Sequence, residues 1–488
     1  MLVIPRLVNY FQDFESLHLL LLECQQAVVE KRREQVVSIS TKIECIDPLA
    51  VLNVVAHPTH RHFYFETRQH GILTQDSELQ LKSQTDEGLG LAIVAIDSAT
   101  SLTVSGDDRF SQAQHFIDTC LAETIKVGCL DLPFSGPHFF CSFTFFPTSS
   151  SFPAATVFLP RWQLSRYQQH CILVANVQLN STTNIHDLAQ DLWQNFHKIT
   201  QVKYSTPHIT IHHHNTFSYH DITDPDRFKT AIAAALQLIH KGQLHKVVLA
   251  HAIDILSPLP FHLIYSLNHL RTLYPDCYVF STSNGAGQTF IGASPERLMR
   301  VYNDELITDA LAGSAPRGAT AIEDTRLAET LLSSAKERYE HQIVVDFILQ
   351  RLHHLGLVPR YFASPQLLQL TNIQHLQTLI QAAVSPGVHP LEILAELHPT
   401  PAVAGVPRDL ACDQIQQCES FERSLYAAPL GWIDHQGNAE FIVGIRSALI
   451  EGCRARLYAG AGIVAGSDPT KELAEIRLKL QALWQALL

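Results

Sequence analysis

Leu457-Tyr458-Ala459-Gly460-Ala461-Gly462-Ile463-Val464-Ala465-Gly466-Ser467-Asp468-Pro469 runs through Thr470 into Lys471-Glu472-Leu473-Ala474-Glu475-Ile476-Arg477-Leu478-Lys479. An apolar strand here enters a glycine-rich turn and leaves it as a helix. Gly460, Gly462 and Gly466 carry no Cβ, so they admit positive φ and close approach of a ligand. Ser467 or Asp468 can cap the helix, and Pro469 suits its first turn. Leu473, Ile476, Leu480, Leu483 and Leu487 recur at helical spacing and predict one buried stripe. Glu472, Glu475 and Lys479 fall on the neighbouring face. Free backbone N–H groups, two carboxylates and an ammonium at one junction suit an anionic ligand held partly through a hard metal ion. A tight turn before an ordinary amphipathic helix would give the same pattern.

The remaining chain supplies the context. Its 488 residues hold two or three average domains or one large composite unit, and 46% hydrophobic content is ample for a core. A net charge of −12 with no long basic run argues against nucleic acid as a partner. The 27 His are scattered, and neither His57/His60/His62 nor His212–His214 has a zinc spacing. The ten Cys include no C-x-x-C pair, which reads as reduced thiols in a cytoplasmic protein. No signal sequence is legible at Met1–Arg6. The uncharged stretch Phe139–Pro160 is interrupted by Pro147, Pro153 and a Ser/Thr block, so it reads as strands around a loop and not as a membrane span.

Residues 1–200 read as mixed α/β without a repeat. Helices are expected at Ser16–Arg33, Arg109–Thr124 and His186–Ile199, with strands at Phe63–Phe65, Leu91–Ile96, Phe139–Phe146 and Cys171–Val177. The polar, His-rich stretch 203–222 is the best boundary, dividing residues 1–215 from 216–488. Beyond it come a helix from Asp224 to about Lys241 and strands at Leu244–Leu256, Tyr278–Thr282, Thr289–Gly292, Leu298–Tyr302 and Glu305–Asp309. One long helix is expected at Asp324–Leu352. Strands at Leu425–Asp434, Ala439–Ile450 and Arg454–Ile463 read as an antiparallel meander.

Four further places carry chemistry. Lys246, in a strand between Val and Leu, loses water there, and burial favours the neutral amine of a general base. Glu296, in Gly292-Ala293-Ser294-Pro295-Glu296-Arg297-Leu298, is a carboxyl that apolar neighbours would keep protonated as an acid, or a surface residue paired with Arg297. Glu337, Glu340, His341 and Val344 share one helical face, able to hold a divalent ion or simply solvated. Arg446, in an apolar strand, needs a partner, either a substrate carboxylate or a structural acid.

Taken together and in order, Lys246, Gly292–Leu298, Ala310–Gly318, Ser333–Val344, His398–Pro407, Tyr426–Trp432, Gly444–Ala448 and Leu457–Lys479 resemble the chorismate-utilising enzymes over about 224–488. The resemblance implies the α/β (α+β) fold of anthranilate synthase component I: two stacked antiparallel β-sheets flanked by helices, with residues 1–215 as a divergent N-terminal half. It implies a water-activating base at Lys246 and an acid at Glu296. It implies Mg2+ at Glu340 and Glu475 with Glu472 nearby. Substrate contacts would come from Ala312, Gly313, Ser314, His398, Arg446, Tyr458, Gly460 and Lys479. Ala312 stands where aminodeoxychorismate synthases have Lys, leaving room for water. That favours an isochorismate synthase acting on chorismate, with no glutaminase partner, as a monomer or weak homo-oligomer. A salicylate synthase and an anthranilate-type synthase stay open as rivals. Quinone, siderophore and salicylate routes are all compatible, the long N-terminal half leaning to a quinone. A dinucleotide module on Gly460-Ala461-Gly462 fits less well, because the strands look antiparallel and no acid follows about 20 residues later.

Overall fold

The computed structural model describes residues 9–57, 59–68, 90–203, 217–371 and 373–487. Among these, two sheets form, of thirteen and ten strands. The larger is centred on Lys246–Leu256, Arg454–Ile463, Ser447–Glu451, Gln288–Ser294 and Tyr278–Ser283. It continues through His62–Thr67, Leu91–Ile96, Trp162–Tyr167, His170–Leu179 and Gln35–Ile43. The smaller runs from Ile373–Ala383 through Glu305–Pro316, Arg297–Tyr302, Ala439–Val443 and Pro429–Asp434 to His138–Phe143 and Ala155–Leu159. Pairing is antiparallel except where Gln35–Ile43 meets Ile125–Gly128. Both sheets thus take strands from each side of the expected boundary. The part of that boundary at 204–216 lies outside the described residues.

The sheets face each other across aromatic side chains. Phe63 and Phe140, one from each sheet, lie 5.2 Å apart between ring centroids. The Tyr278 hydroxyl donates to Glu440 across the same interface at 3.0 Å. Helices pack against the sheets, and several begin where the sequence supplies a side-chain cap. Asp224 accepts from the N–H groups of Asp226 and Arg227 ahead of the helix Pro225–His240. Asp468 accepts from Thr470 and Lys471 ahead of Pro469–Leu487. The predicted stripe Leu473, Ile476, Leu480, Leu483 and Leu487 is buried, packing that helix on Arg454–Ile463. Phe139–Pro160 forms the expected strands around a loop, His138–Phe143 and Ala155–Leu159, paired antiparallel. No helix among the described residues is long and apolar enough to cross a membrane.

Three expectations need correction. The helix expected at Asp324–Leu352 is two helices, Ala321–Ser333 and Ala335–His354. Ser334 breaks it by leaving helical geometry (ψ 114°) and capping the second helix through the N–H of Glu337. The strand expected at Ala439–Ile450 is also two, Ala439–Val443 in the smaller sheet and Ser447–Glu451 in the larger. The chain crosses between sheets at Gly444-Ile445-Arg446, where Arg446 has φ +49°, so the last strands are not one meander. The strand Ile373–Ala383 was not expected. Its alternation of buried and half-exposed residues is nonetheless the period-2 signal of a sheet.

One buried pair ties the loop before Pro429 to the larger sheet. Arg423 donates to Glu419 at 2.6 and 2.8 Å and to the carbonyls of Val403 and Val248. Glu419 in turn accepts from the N–H of Ala250. Replacing Arg423 by Met keeps the packing but leaves Glu419 as a buried carboxylate without its cation. We expect a loss of about 3–5 kcal/mol in unfolding free energy by denaturant titration. A loss within error of zero would show that the pair contributes nothing.

Candidate active site

The cavity of interest, about 170 Å³, is lined by Lys246, Glu296, Ala312, Gly313, Ser314, Glu340, Arg446, Tyr458, Gly460, Glu472, Glu475 and Lys479, with Glu337, Lys336, His375, Tyr426 and Gly462. The sheets bring these together from distant parts of the chain. Lys246 opens the strand Lys246–Leu256, which pairs with Arg454–Ile463 so that Val248 faces Gly462 and Ala250 faces Gly460. Gly460 and Gly462 are therefore ladder residues within a strand, not a turn with free N–H groups as the sequence suggested. Their contribution is space. A Cβ on Gly462 would stand 2.7 Å from Glu340 Oε1 and 3.2 Å from Lys246 Cε. One on Gly460 would stand 2.8 Å from the Tyr426 hydroxyl.

Lys246 is 1% exposed, and its Nζ lies 2.7 Å from Glu340 Oε1. It is desolvated as expected, but it faces a carboxylate and not only apolar neighbours. Glu296 sits at the crossing between Gln288–Ser294 and Arg297–Tyr302, and it is buried. Loss of water pushes its carboxyl up to about 8, opposed by Lys246 and reinforced by Asp309. Arg297 does not pair with it, but with Asp309 at 2.9 Å. Glu296 thus holds a proton at neutral pH.

The break at Ser334 acquires a purpose here. It starts a new helix with Glu337 in the first turn, and Glu337 Oε2 accepts from the N–H of Ser314 at 3.2 Å. Gly313, at φ +77°, makes the bulge that turns Ser314 toward this helix. Glu472 is buried with Lys336 3.9 Å away, and Glu475 pairs with Lys479 at 2.8 Å. Lys479 Nζ also donates to the Gly460 carbonyl at 3.0 Å. Desolvation raises the Glu337 and Glu472 carboxyls, and the nearby charges of Glu340 and Glu475 raise both further.

Arg446 meets no carboxylate within 4.0 Å among the described residues; it donates to His375 Nε2 at 3.2 Å. His375 Nδ1 is bonded to Ser314 Oγ at 2.9 Å. Since arginine only donates, Nε2 accepts and Nδ1 carries the hydrogen. Burial, with Arg446 beside it, holds the ring neutral, its titration lowered to about 3. His375 was missed in the sequence because its strand was missed.

Two expected residues are elsewhere. His398 is buried outside the cavity wall, its ring 5.6 Å from that of Phe145 and 6.5 Å from that of Phe110. The hydrophobic packing of the Gly/Pro-rich loop takes it away from the substrate space. His341 shares the helix of Glu340 but turns into the sheet, bonded to Thr378 Oγ1 at 2.8 Å, so it does not join the carboxylates.

A buried lysine, a protonated carboxyl, an arginine with no carboxylate on it among the described residues, and four further glutamates share one cavity between two sheets, a set able to act on a charged small molecule by acid and base. Residues 22–488 match the chorismate-binding enzymes, and the chain belongs to that family. It is 31% identical to isochorismate synthase MenF of Bacillus subtilis over 92% of this chain and 93% of that protein. It is 42% identical to the salicylate biosynthesis isochorismate synthase of Pseudomonas aeruginosa, where the match spans 54% of each chain, about half that relative's length. Among solved structures, MenF, the menaquinone-specific isochorismate synthase of Escherichia coli, superposes with a TM-score of 0.76 at 27% identity, covering 96% of this chain and all of that one. Anthranilate synthase component I of Streptococcus pneumoniae shares the fold, with a TM-score of 0.62 at 18% identity.

Glu296 makes a pH prediction. Its carboxyl ordinarily titrates at 4.5 and in the fold at about 8. Between these values the unfolded chain releases a proton that the folded chain keeps, so stability falls as pH rises through the window. Glu296→Gln removes that dependence. The wild type should lose melting temperature relative to Glu296→Gln from pH 4.5 to 8, read by differential scanning calorimetry. A constant difference would rule out the raised titration.

Proposed function

We propose that this protein is an isochorismate synthase that converts chorismate to isochorismate. The observation that carries the reading is the pairing in one cavity of buried Lys246 with a Glu296 carboxyl that keeps its proton. Adding water at C2 and expelling the C4 hydroxyl needs a base for one and an acid for the other. Lys246, as the free amine, takes a proton from water, and the oxygen adds at C2. The ring double bonds shift, and Glu296 gives its proton to the C4 hydroxyl, which leaves as water. One water enters and one leaves, so the reaction is a reversible isomerisation. Arg446 and Lys479, which line the cavity, would take substrate carboxylates, and the small side chain of Ala312 would leave room for the attacking water.

The acidic wall fits a magnesium ion in its chemistry. Its carboxylate donors are all oxygen, and burial first, with the mutual repulsion of the glutamates added to it, raises Glu337 and Glu472, a cost that a divalent cation would relieve. Glu340 and Glu475, with Glu472, are the residues proposed to hold it, although among the described residues no three acidic or His groups stand converged on one point. Glu340 and Glu475 are instead paired with Lys246 and Lys479. When bound, magnesium would neutralise the ring carboxylate and draw electron density toward it. The full-length similarity to the MenF proteins supports a quinone-directed role over the partial matches to salicylate and siderophore relatives.

Incubating the protein with chorismate and magnesium and separating the products tests the reading. Isochorismate alone is the expected result. Salicylate with pyruvate would reassign it as a salicylate synthase, and anthranilate formed with ammonia as an amine-adding enzyme. Lys246→Ala should lower kcat by about 10²–10⁴-fold. A kcat near that of the wild type would remove Lys246 from its role.

A further inference from the structure

Beside the site lies a second cavity of about 220 Å³, shaped by Leu270, Ala293, Ala315, Pro316, Ile373 and Leu483. Leu478, 68% exposed, marks its outer edge. Ser314, Arg446, Glu475 and Lys479 line both cavities and form the partition between them. The two chambers differ in chemistry. The inner one is lined by five glutamates and three lysines, whereas the only carboxylate on the outer one among the described residues is Glu475, which is already paired with Lys479. Arg446 presents a guanidinium to both with no carboxylate of the protein on it among the described residues. The outer chamber is too small for a drug-sized ligand, since such pockets span roughly 300–1,000 Å³.

We propose that the outer chamber is a second binding site for a small cyclic monocarboxylate, its apolar ring against Leu270, Ile373 and Leu483 and its carboxylate on Arg446. The apolar lining gives the ring its burial, and the partition gives a cationic end at Arg446, its other cation Lys479 being paired with Glu475. A dianion with hydroxyl groups suits the polar inner chamber instead. Because Arg446 is shared, an occupant of the outer chamber draws on the same guanidinium as a substrate in the inner one. The inference rests on the cavity and its charges and holds whichever reaction the inner chamber performs.

Benzoate is the probe, with the full-length protein in EDTA and heats of binding measured by calorimetry. In EDTA no divalent cation adds positive charge to the inner chamber, where Lys246 and Lys479 are already paired with Glu340 and Glu475, and the Lys246→Ala control separates benzoate held there from benzoate in the outer chamber. Benzoate should bind, and neutral benzamide should bind at least about tenfold more weakly. Ile373→Trp, which fills the outer chamber, should weaken benzoate at least about tenfold. Ala315→Leu, a smaller filling change, should act in the same direction if the Trp variant does not fold. Lys246→Ala, inside the first cavity, should leave benzoate affinity unchanged. The proposal is overturned if millimolar benzoate gives no heat, if Ile373→Trp and Ala315→Leu bind it as the wild type does, or if Lys246→Ala weakens it. None of these readings depends on turnover, so a failure to make isochorismate would count against the proposed function alone.

Discussion

The site depends on two crossings of the chain between its sheets, and on the hydrogen bonds that lock those crossings to each other. One crossing passes through Pro295 and Glu296, the other through Gly444, Ile445 and Arg446. Val443 N–H donates to the Glu296 carbonyl and Ala293 N–H to the Arg446 carbonyl, each at 3.1 Å. Ser294 Oγ adds a bond to the Val443 carbonyl at 2.6 Å. A residue in a sheet can point only up or down, but a residue where the chain leaves one sheet for another can point between them. Glu296 and Arg446 have that freedom, and the mutual bonds then remove it. Arg446 holds a left-handed backbone at φ +49°, a conformation costing about 1–3 kcal/mol for a residue with a side chain. The surrounding sheets impose it, and its result is a guanidinium aimed into the cavity.

Around that frame the charges are arranged by function more than by stability. Lys246 and Glu340 form a pair in which the lysine is fully buried, and such pairs commonly contribute little net stability because desolvation offsets their attraction. The Arg423–Glu419 pair, also buried, has every guanidinium nitrogen engaged and serves the fold. Lys246 has a different setting, in which its carboxylate partner is also a candidate metal ligand. Glu296, by contrast, has no cation within 4.0 Å among the described residues and keeps its proton. Two carboxyls near one lysine thereby have different settings, Glu340 in contact with its ammonium and Glu296 desolvated and pushed up to about 8.

Much of this was legible in the sequence because it is local. The cap at Asp468, the leucine stripe from Leu473 to Leu487 and the strands Leu91–Ile96, His138–Phe143 and His170–Leu179 follow from periodicity and caps that need no tertiary information. Family resemblance carried the site further, bringing Lys246, Glu296, Glu340, Arg446 and Lys479 to one cavity. What escaped was decided by packing. Ser334 reads as an ordinary helical residue until its hydroxyl caps the next helix. Ala439–Ile450 reads as one apolar strand because the move from one sheet to the other keeps both halves buried. His398 sits in a stretch that matches the family, yet its ring goes into the aromatic packing around Phe145. His375 lay in a strand whose alternation was present but unread, and its part in holding Arg446 appears only when Ser314 is set beside it.

The floor of the cavity, at Gly460 and Gly462, is defined by atoms that are not there. Two positions apart on one strand, both leave bare backbone below the space where Lys246, Glu340 and Tyr426 come together. Glycine is the smallest residue, so every replacement at either position adds matter to the chamber. Most parts of a protein can be altered in two directions, toward larger or smaller, with one change compensating another. This floor can drift in only one direction, and any compensation has to come from shortening the side chains above it, which carry the chemistry.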